Sequence, residues 1–236
     1  MILPAYNEIG NLERAIAEAL EALGALGMAF EIVVVESGST DGTRELADRL
    51  ATENPAVRVL HEGWRRGMGS AIRLGFNAAR GTLLFYTDVD LPFGFDPIAR
   101  GVEALATADA LVGFKPYRHE TAHRFVISRV FNWMGRFLFQ VGVRDVNCGL
   151  KGVRREVWSQ LEVRSNRLFF DTELFSELVR HGALVVDLPV EYSPRHSGAS
   201  TISPVRESLA ALCEMTGYIV RRNLARGWRG RKESRS

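Results

Sequence analysis

A chain of 236 residues with 46% apolar and 25% charged content is long enough for one α/β domain with a sizeable core, and its composition excludes fibrous and disordered classes. The net charge of +2 hides an asymmetry: seven basic residues (Arg221, Arg222, Arg226, Arg229, Arg231, Lys232, Arg235) against Glu233 give residues 221–236 a charge of +6, which leaves −4 on residues 1–220. That mildly acidic body argues against nucleic acid as a partner, the two distant cysteines Cys148 and Cys213 exclude a disulfide framework and a thiolate zinc site, and no window reaches the roughly 18–20 uninterrupted apolar residues of a spanning helix.

The start, "MILPAYNE", has no basic stretch ahead of a long apolar run, so the expectation is a cytoplasmic chain that is not exported. "MILPAY" (1–6) reads as a strand, and Asn11 caps a helix with Leu12, Ile16, Leu20 and Leu23 at helical spacing. "EIVVVES" (31–37) is a buried strand, followed by the turn "GSTDGT" and a helix through Leu46 and Leu50. "VRVLH" (57–61) predicts a third strand, "GMGSAIRLGFNAA" (67–79) a helix, and "TLLFYTD" (82–88) a fourth strand. A helix follows Pro97, and then the apolar run "DALVGF" (109–114). Residues 123–143 predict a long aromatic helix, and two more helical segments centre on "LKGVRREVWSQL" (150–161) and "FFDTELFSELVRHG" (169–182). "ALVVDLPVEY" (183–192) is a strand, and Ser203 with Pro204 starts a final helix. Apolar runs alternating with amphipathic stretches predict βα units and a largely parallel sheet, and no repeat or linker divides the chain.

Such a sheet binds ligands beyond the carboxyl ends of its strands. The first, second and fourth strands end in "PAYNE", "ESGSTDGT" and "TDVD", loops expected side by side at one edge. The common nucleotide fingerprints fail there: "GMGSAI" has Ile72 where a third glycine belongs, and no lysine-containing phosphate loop is present. Asp88 and Asp90 close an apolar strand, and two like charges so near one another cost free energy unless a cation lies between them.

In this order and spacing, "LPAYNE", "VVVESGSTDGT", "RGMGSAIRLGFNAARG" and "TDVDL" resemble the inverting family 2 glycosyltransferases of the GT-A fold. "SRVFNWMGRFLFQVGVRDVNCGLKGVRREV", "FFDTEL" and "VDLPVEYSPRHSGAS" are similar to the branch that moves a sugar from a nucleotide to dolichyl or undecaprenyl phosphate, and the resemblance spans residues 2–203. It implies an α/β, Rossmann-like, mainly parallel sheet flanked by helices. The organisation would be a GT-A domain over 1–203, an amphipathic helix over 204–220 and a basic tail over 221–236. The implied activity is transfer of a hexose from GDP-mannose or UDP-glucose to a polyprenyl phosphate, with Mg²⁺ or Mn²⁺ as cofactor.

The resemblance also implies roles. Asp88 and Asp90 would hold the metal against the donor diphosphate, with Pro92 where some members place a further glutamine ligand. Pro4, Ala5, Tyr6 and Glu8 would line the nucleotide pocket. Glu36-Ser37 stands where the family usually shows Asp-Asp, and Asp41 is either a nucleotide contact or a turn residue. Gly67 and Gly69 would let backbone approach the donor, with an ordinary glycine-rich turn as the plainer reading. Lys115, Arg124 and Ser128 match positions that reach phosphate, and Asp145, Asn147 and Lys151 match the acceptor-side loop. Asp171 and Glu173 would organise the site, one of them facing it. Because a phosphate acceptor is already ionised, no strong base is needed. Arg195, His196 and Ser200 fall on a loop that in the family closes over diphosphate, Arg195 offsetting its charge. The last helix carries Val205, Leu209, Leu212, Met215 and Ile219 as an apolar stripe, which suits an interfacial helix, a helix packed on the body, or one docked on a membrane partner subunit. Two other readings stay open: the same chemistry on a soluble or polysaccharide acceptor, and a non-catalytic nucleotide-sugar-binding protein.

Overall fold

All five residues of β2 (Ile32–Glu36) are buried, as an unbroken β-branched run flanked by strands on both sides requires. The structure, a computed structural model, describes residues 1–90, 94–116, 139, 141–191 and 210–223. The helices and strands of its first half follow the predicted order: β1 (Ile2–Ala5), α1 (Leu12–Gly24), β2, α2 (Thr43–Glu53), β3 (Val57–His61), α3 (Met68–Ala78), β4 (Leu83–Tyr86) and α4 (Pro97–Ala104). The second half adds β5 (Ala110–Phe114), β6 (Lys151–Arg154), α5 (Arg155–Trp158), α6 (Phe169–Arg180), β7 (Val185–Pro189) and α7 over residues 210–223.

The strands form one seven-stranded sheet in the order β3-β2-β1-β4-β6-β5-β7. β1 runs parallel to β2 and to β4, and β2 parallel to β3, so the loops after β1, β2 and β4 do leave one edge side by side. β6 is antiparallel to both β4 and β5, and β7 is parallel to β5. α1 buries Leu12, Ile16 and Leu23, the stripe its periodicity predicted, while Leu20 packs at the margin. The fold is the GT-A α/β architecture, with the core between sheet and helices.

Three expectations are corrected. "LKGVRREVWSQL" is not one helix: Lys151–Arg154 is strand β6, and the helix covers only Arg155–Trp158. Its Leu150, Val153, Val157 and Leu161 spacing mimics a helical stripe, but pairing with strands on both sides decides the conformation. The helix predicted over 123–143 stops short, because 141–143 are not helical; residue 139 is helical and the other positions of 123–140 lie outside the described residues. Asn11 occupies the N-cap position of α1, yet its side chain donates to Glu8 Oε2 at 2.7 Å instead of capping the helix.

Candidate active site

The loops after β1 and β2 are laced together by side chains that satisfy amides. Asn7, at φ 55°, donates its backbone N–H to Ser39 Oγ (3.0 Å) and accepts from the Thr40 amide through Oδ1 (2.9 Å). The Glu8 amide donates to Thr43 Oγ1 (2.8 Å). Asp41 accepts from the Ile9 amide (3.2 Å), the Thr43 amide (3.0 Å) and the Thr43 hydroxyl (2.5 Å). Burial raises the Asp41 carboxyl, but these donors outweigh it and hold the group below its ordinary value. These bonds make Asp41 a clamp between the two loops.

Glu36 is fully buried at the end of β2. Its carboxylate accepts from the Ser39 amide at 2.5 Å and meets His61 Nδ1 at 3.2 Å, while His61 Nε2 lies 2.9 Å from Asp48 Oδ1. Burial pushes its pKa up, yet the Ser39 amide and His61 bring it below the ordinary carboxylate range. Beside it, Ser37 Oγ donates to Glu62 Oε2 (2.8 Å) and Ser70 Oγ to Glu62 Oε1 (2.5 Å). Glu62 therefore brings a carboxylate to Ser37 from the neighbouring strand end. Sequence reasoning passes over it, although it directly follows the third strand. Tyr6 is half-buried under the Arg65 guanidinium, 4.2 Å from its ring centroid, and Arg66 covers the exposed Trp64 at 4.3 Å. The signal for this cation–aromatic pair was "GWRRG", between β3 and α3.

Gly67 and Gly69 open α3 against the segment 166–170. A Cβ on Gly67, at φ 131°, would sit 2.3 Å from the Asn166 carbonyl oxygen, and one on Gly69 would sit 2.5 Å from Phe170 Cβ. The contact these glycines allow in the structure is thus chain against chain, sealed by the Ser70 amide donating to Asn166 O at 3.1 Å.

Asp88 and Asp90 follow β4, with Asp88 partly exposed, Asp90 buried, and Val89 buried between them. Among the described residues no group of three or more His, Cys, Asp or Glu side chains gathers as a self-sufficient metal cage. Two hard carboxylates at the ligand edge of the sheet form a partial shell, which suits a Mg²⁺ or Mn²⁺ that completes its coordination with diphosphate oxygens and water.

Beneath this pair lies a fully enclosed charge cluster. Tyr86, the last residue of β4, is cross-strand to Lys151 of β6. Lys151 Nζ donates to Tyr86 OH (2.7 Å) and to the Cys148 carbonyl (2.6 Å), and pairs with Asp171 Oδ1 at 3.1 Å. Tyr86 OH donates to Asp171 Oδ1 at 2.7 Å. Burial, with the Asp171 charge second, pushes the Tyr86 phenol well above its ordinary value, and burial pushes the Cys148 thiol up to about 11. Lys151 was expected on the acceptor loop. At 1% exposure, bonded to Tyr86 and Cys148 and paired with Asp171, its ammonium is enclosed in the core and not on the surface of that loop.

The "FFDTEL" carboxylates are corrected too. Asp171 and Glu173 are both buried, at 4% and 0% exposure, so neither opens onto a site as expected of one of them. Glu173 Oε2 accepts from the Arg164 (3.1 Å) and Ser165 (2.7 Å) amides, and Oε1 from Arg221 of α7 at 2.7 Å. Glu214 of α7 caps the Asn166 and Arg167 amides, and Tyr218 OH bonds Ser176 (2.8 Å) and Glu177 (2.7 Å). Of the three fates open to the last helix, α7 shows packing on the body through Ala211, Glu214, Tyr218 and Arg221. Leu212, Cys213 and Val220 face outward, and 203–209 lie outside the described residues. Asp145 is buried, Asn147 exposed and Lys115 half-buried around the 141–148 loop. Arg124, Ser128, Arg195, His196 and Ser200 lie outside the described residues.

A GT-A sheet with a carboxylate pair after β4 and interlocked loops after β1 and β2 defines a glycosyltransferase scaffold. The chain belongs to glycosyl transferase family 2, whose signature matches residues 1–161. It is 35% identical over 219 residues to glycosyltransferase AglD of Haloferax volcanii, covering 89% of this chain and 35% of that protein, so it spans about a third of that relative. It is 32% identical to polyprenol monophosphomannose synthase of Mycolicibacterium smegmatis (96% of this chain, 89% of the relative). To undecaprenyl-phosphate mannosyltransferase of Micrococcus luteus it is 27% identical (97% and 95%). In fold it is similar to glucosyl-3-phosphoglycerate synthase from Mycobacterium tuberculosis in complex with Mn²⁺ and UDP-glucose, at a TM-score of 0.66 and 19% identity over 92% of this chain and 78% of that one.

Proposed function

We propose that the protein transfers a hexose from a nucleoside-diphosphate sugar to a polyprenyl phosphate with inversion at the anomeric carbon. The observation that carries the reading is the Asp88/Asp90 pair at the edge where the β1 and β2 loops converge. Two relatives that the chain matches nearly end to end are named for mannose transfer to polyprenol or undecaprenyl phosphate, which supports the acceptor class. Asp88 and Asp90 would hold the divalent cation; when bound, it offsets charge on the departing diphosphate.

The chain's own residues do the rest by orientation. The acceptor phosphate oxygen forms the new bond to the anomeric carbon as the bond to the diphosphate oxygen breaks, and the electron pair leaves on the nucleotide. The nucleophile arrives ionised, so no side chain need take a proton. The enclosure of Asp171 and Glu173 accords with that, since a general base must reach its proton. Tyr6, under Arg65, and Ser37, beside Glu62, would contact the nucleoside. Lys115, Asp145, Asn147, Arg124, Ser128, Arg195, His196 and Ser200 are assigned to the acceptor and diphosphate. Among the described residues no helix is long and apolar enough to cross a membrane. The basic residues after 220 would meet anionic lipid at the cytoplasmic face.

The test is a panel of UDP- and GDP-sugars offered with short-chain polyprenyl phosphate in detergent, with and without Mn²⁺ or Mg²⁺, and a parallel arm with phosphoglycerate. Metal-dependent product with the lipid acceptor is expected. Turnover confined to phosphoglycerate would move the acceptor to the soluble class, and donor binding without transfer to either would reduce the protein to a nucleotide-sugar binder.

A further inference from the structure

We propose that Lys151 is a positioning residue that fastens the metal-binding end of β4 to the acceptor loop and to α6; this rests on the transferase reading above. The ammonium donates to the Tyr86 hydroxyl and to the Cys148 carbonyl and forms an ion pair with Asp171 Oδ1, which itself accepts the Tyr86 hydroxyl proton. Each belongs to a different part of the site. Tyr86 ends the strand that continues through Thr87 into Asp88 and Asp90. Cys148 closes the turn begun at Asp145, whose carbonyl accepts the Cys148 amide at 3.3 Å. Asp171 lies in the first turn of α6.

The Cys148 carbonyl is local to Lys151, three residues away, but Tyr86 is 65 residues from Lys151 and 85 from Asp171, so the ammonium ties a local turn to two distant elements. The ring of Tyr86 also lies 5.0 Å from Nζ, leaving the ammonium a single seat. A buried ion pair adds little stability over well-packed apolar groups of the same volume. What this one adds is geometry: it fixes the end of β4, which leads to the carboxylate pair, relative to the loop on the acceptor side. Groups that hold metal ligands in place typically carry roughly 10–100-fold in metal affinity or activity, and Lys151 acts on Asp88 and Asp90 through Tyr86.

The experiment compares the full chain with Tyr86→Phe, which keeps the ring and removes the hydroxyl, and with the charge-neutral double variant Lys151→Met/Asp171→Asn, which leaves no unpaired buried charge. Hydrogen exchange on the metal-free protein should quicken at residues 87–90 and 145–150 together in both variants, while β1 and β2 keep wild-type protection. Mn²⁺ affinity, read by electron paramagnetic resonance of the free ion, should fall roughly 10–100-fold, and kcat by a similar factor with little change in KM for the donor. Wild-type exchange at both segments in a folded variant overturns the inference whether or not the wild type transfers sugar. Quickened exchange with unchanged Mn²⁺ affinity and kcat would overturn it as well, leaving Lys151 a structural residue only. If the double variant does not fold, Tyr86→Phe alone decides between these outcomes by the same measurements. Failure of the wild type in the sugar panel would instead count against the transferase reading.

Discussion

The two halves of the sheet are held by different kinds of bond. On the side assigned above to the donor, β3-β2-β1-β4, the loops are joined mainly by short-side-chain hydrogen bonds to amides, from Asn7, Ser39, Asp41 and Thr43, between segments that are neighbours in the parallel sheet; the buried Glu36 carboxylate, on the Ser39 amide and His61, is the exception. On the side assigned above to the acceptor, β6-β5-β7 with α6 and α7, the fastenings are carboxylates met by cations and amides from distant segments: buried Asp171 with buried Lys151, buried Glu173 with the partly exposed Arg221, and the partly buried Glu214 on the Asn166 and Arg167 amides. The first arrangement makes a preformed cradle from local chemistry. The second makes a framework whose parts are set only when distant segments have come together, where removing one partner leaves a buried charge uncompensated.

The sharpest way to break the comparison is at the seam between the halves. Asp90→Ala removes a buried carboxylate from the segment that follows β4. Transfer is expected to fall by about 10²–10³-fold and Mn²⁺ binding to be lost, with a melting temperature close to that of the wild type. Near-normal transfer by this variant would dismiss the carboxylate pair as the metal site.

The seam also divides what the sequence reveals. The four strands of the donor side could be read because each is a short apolar run followed by turn chemistry, and α1 to α3 keep a clean 3.6-residue stripe. Asp41 is open in the sequence between turn and ligand, because an Asx turn and a ligand contact ask for the same side chain; the amides of Ile9 and Thr43 show the turn bonds. On the acceptor side the reading failed at β6, where a lysine heads a strand that is antiparallel and enclosed on both edges. A buried lysine contradicts the ordinary rule for that residue, and its partners Tyr86 and Asp171 are too distant in sequence to signal it. For the same reason Asp171 and Glu173 read as site residues: paired carboxylates on a helix look the same whether they face a ligand or an arginine from a later helix.

Next in size is Gly67→Ala. Its Cβ would lie 2.3 Å from a backbone carbonyl at a φ of 131°, so neither the side chain nor the neighbour can give way cheaply. Destabilisation of about 2–4 kcal/mol is expected. The control is Gly182→Ala, at φ 69° with nothing within 4 Å, expected to cost about 1 kcal/mol from backbone strain alone. Equal losses in thermal melts would mean that the α3 start does not depend on close approach to 166–170.

Acid should loosen the donor side through Glu36 and Asp41. Both carboxyls are held below their ordinary values in the folded protein, so their stabilisation is complete above that range and is lost as pH falls through the lowered values. Hydrogen exchange in residues 36–43 is expected to quicken on acidification. Glu36→Gln should cost about 1–2 kcal/mol at neutral pH by weakening bonds to the Ser39 amide and His61, and should flatten the acid limb. An unaltered acid limb would assign the pH response elsewhere.

The smallest effect distinguishes the two cysteines of the acceptor side. Cys148 is buried at the close of the 145–148 turn with its thiol pushed up to about 11, whereas Cys213 stands on the outer face of α7 with Leu212 and Val220. At pH 8 the thiolate fraction of Cys148 is about one in a thousand, so a disulfide reagent should titrate one thiol in the folded chain and a second only after denaturation. Rapid reaction of both would mean that the framework around Lys151 opens readily. Anionic vesicles extend the measurement to the membrane reading. If the outer face of α7 meets lipid, the Cys213 reaction slows several-fold while Cys148 stays silent. An unchanged rate in vesicles that nonetheless retain the protein would confine lipid contact to the basic residues beyond α7, and leave that helix as the clamp its inner face already is.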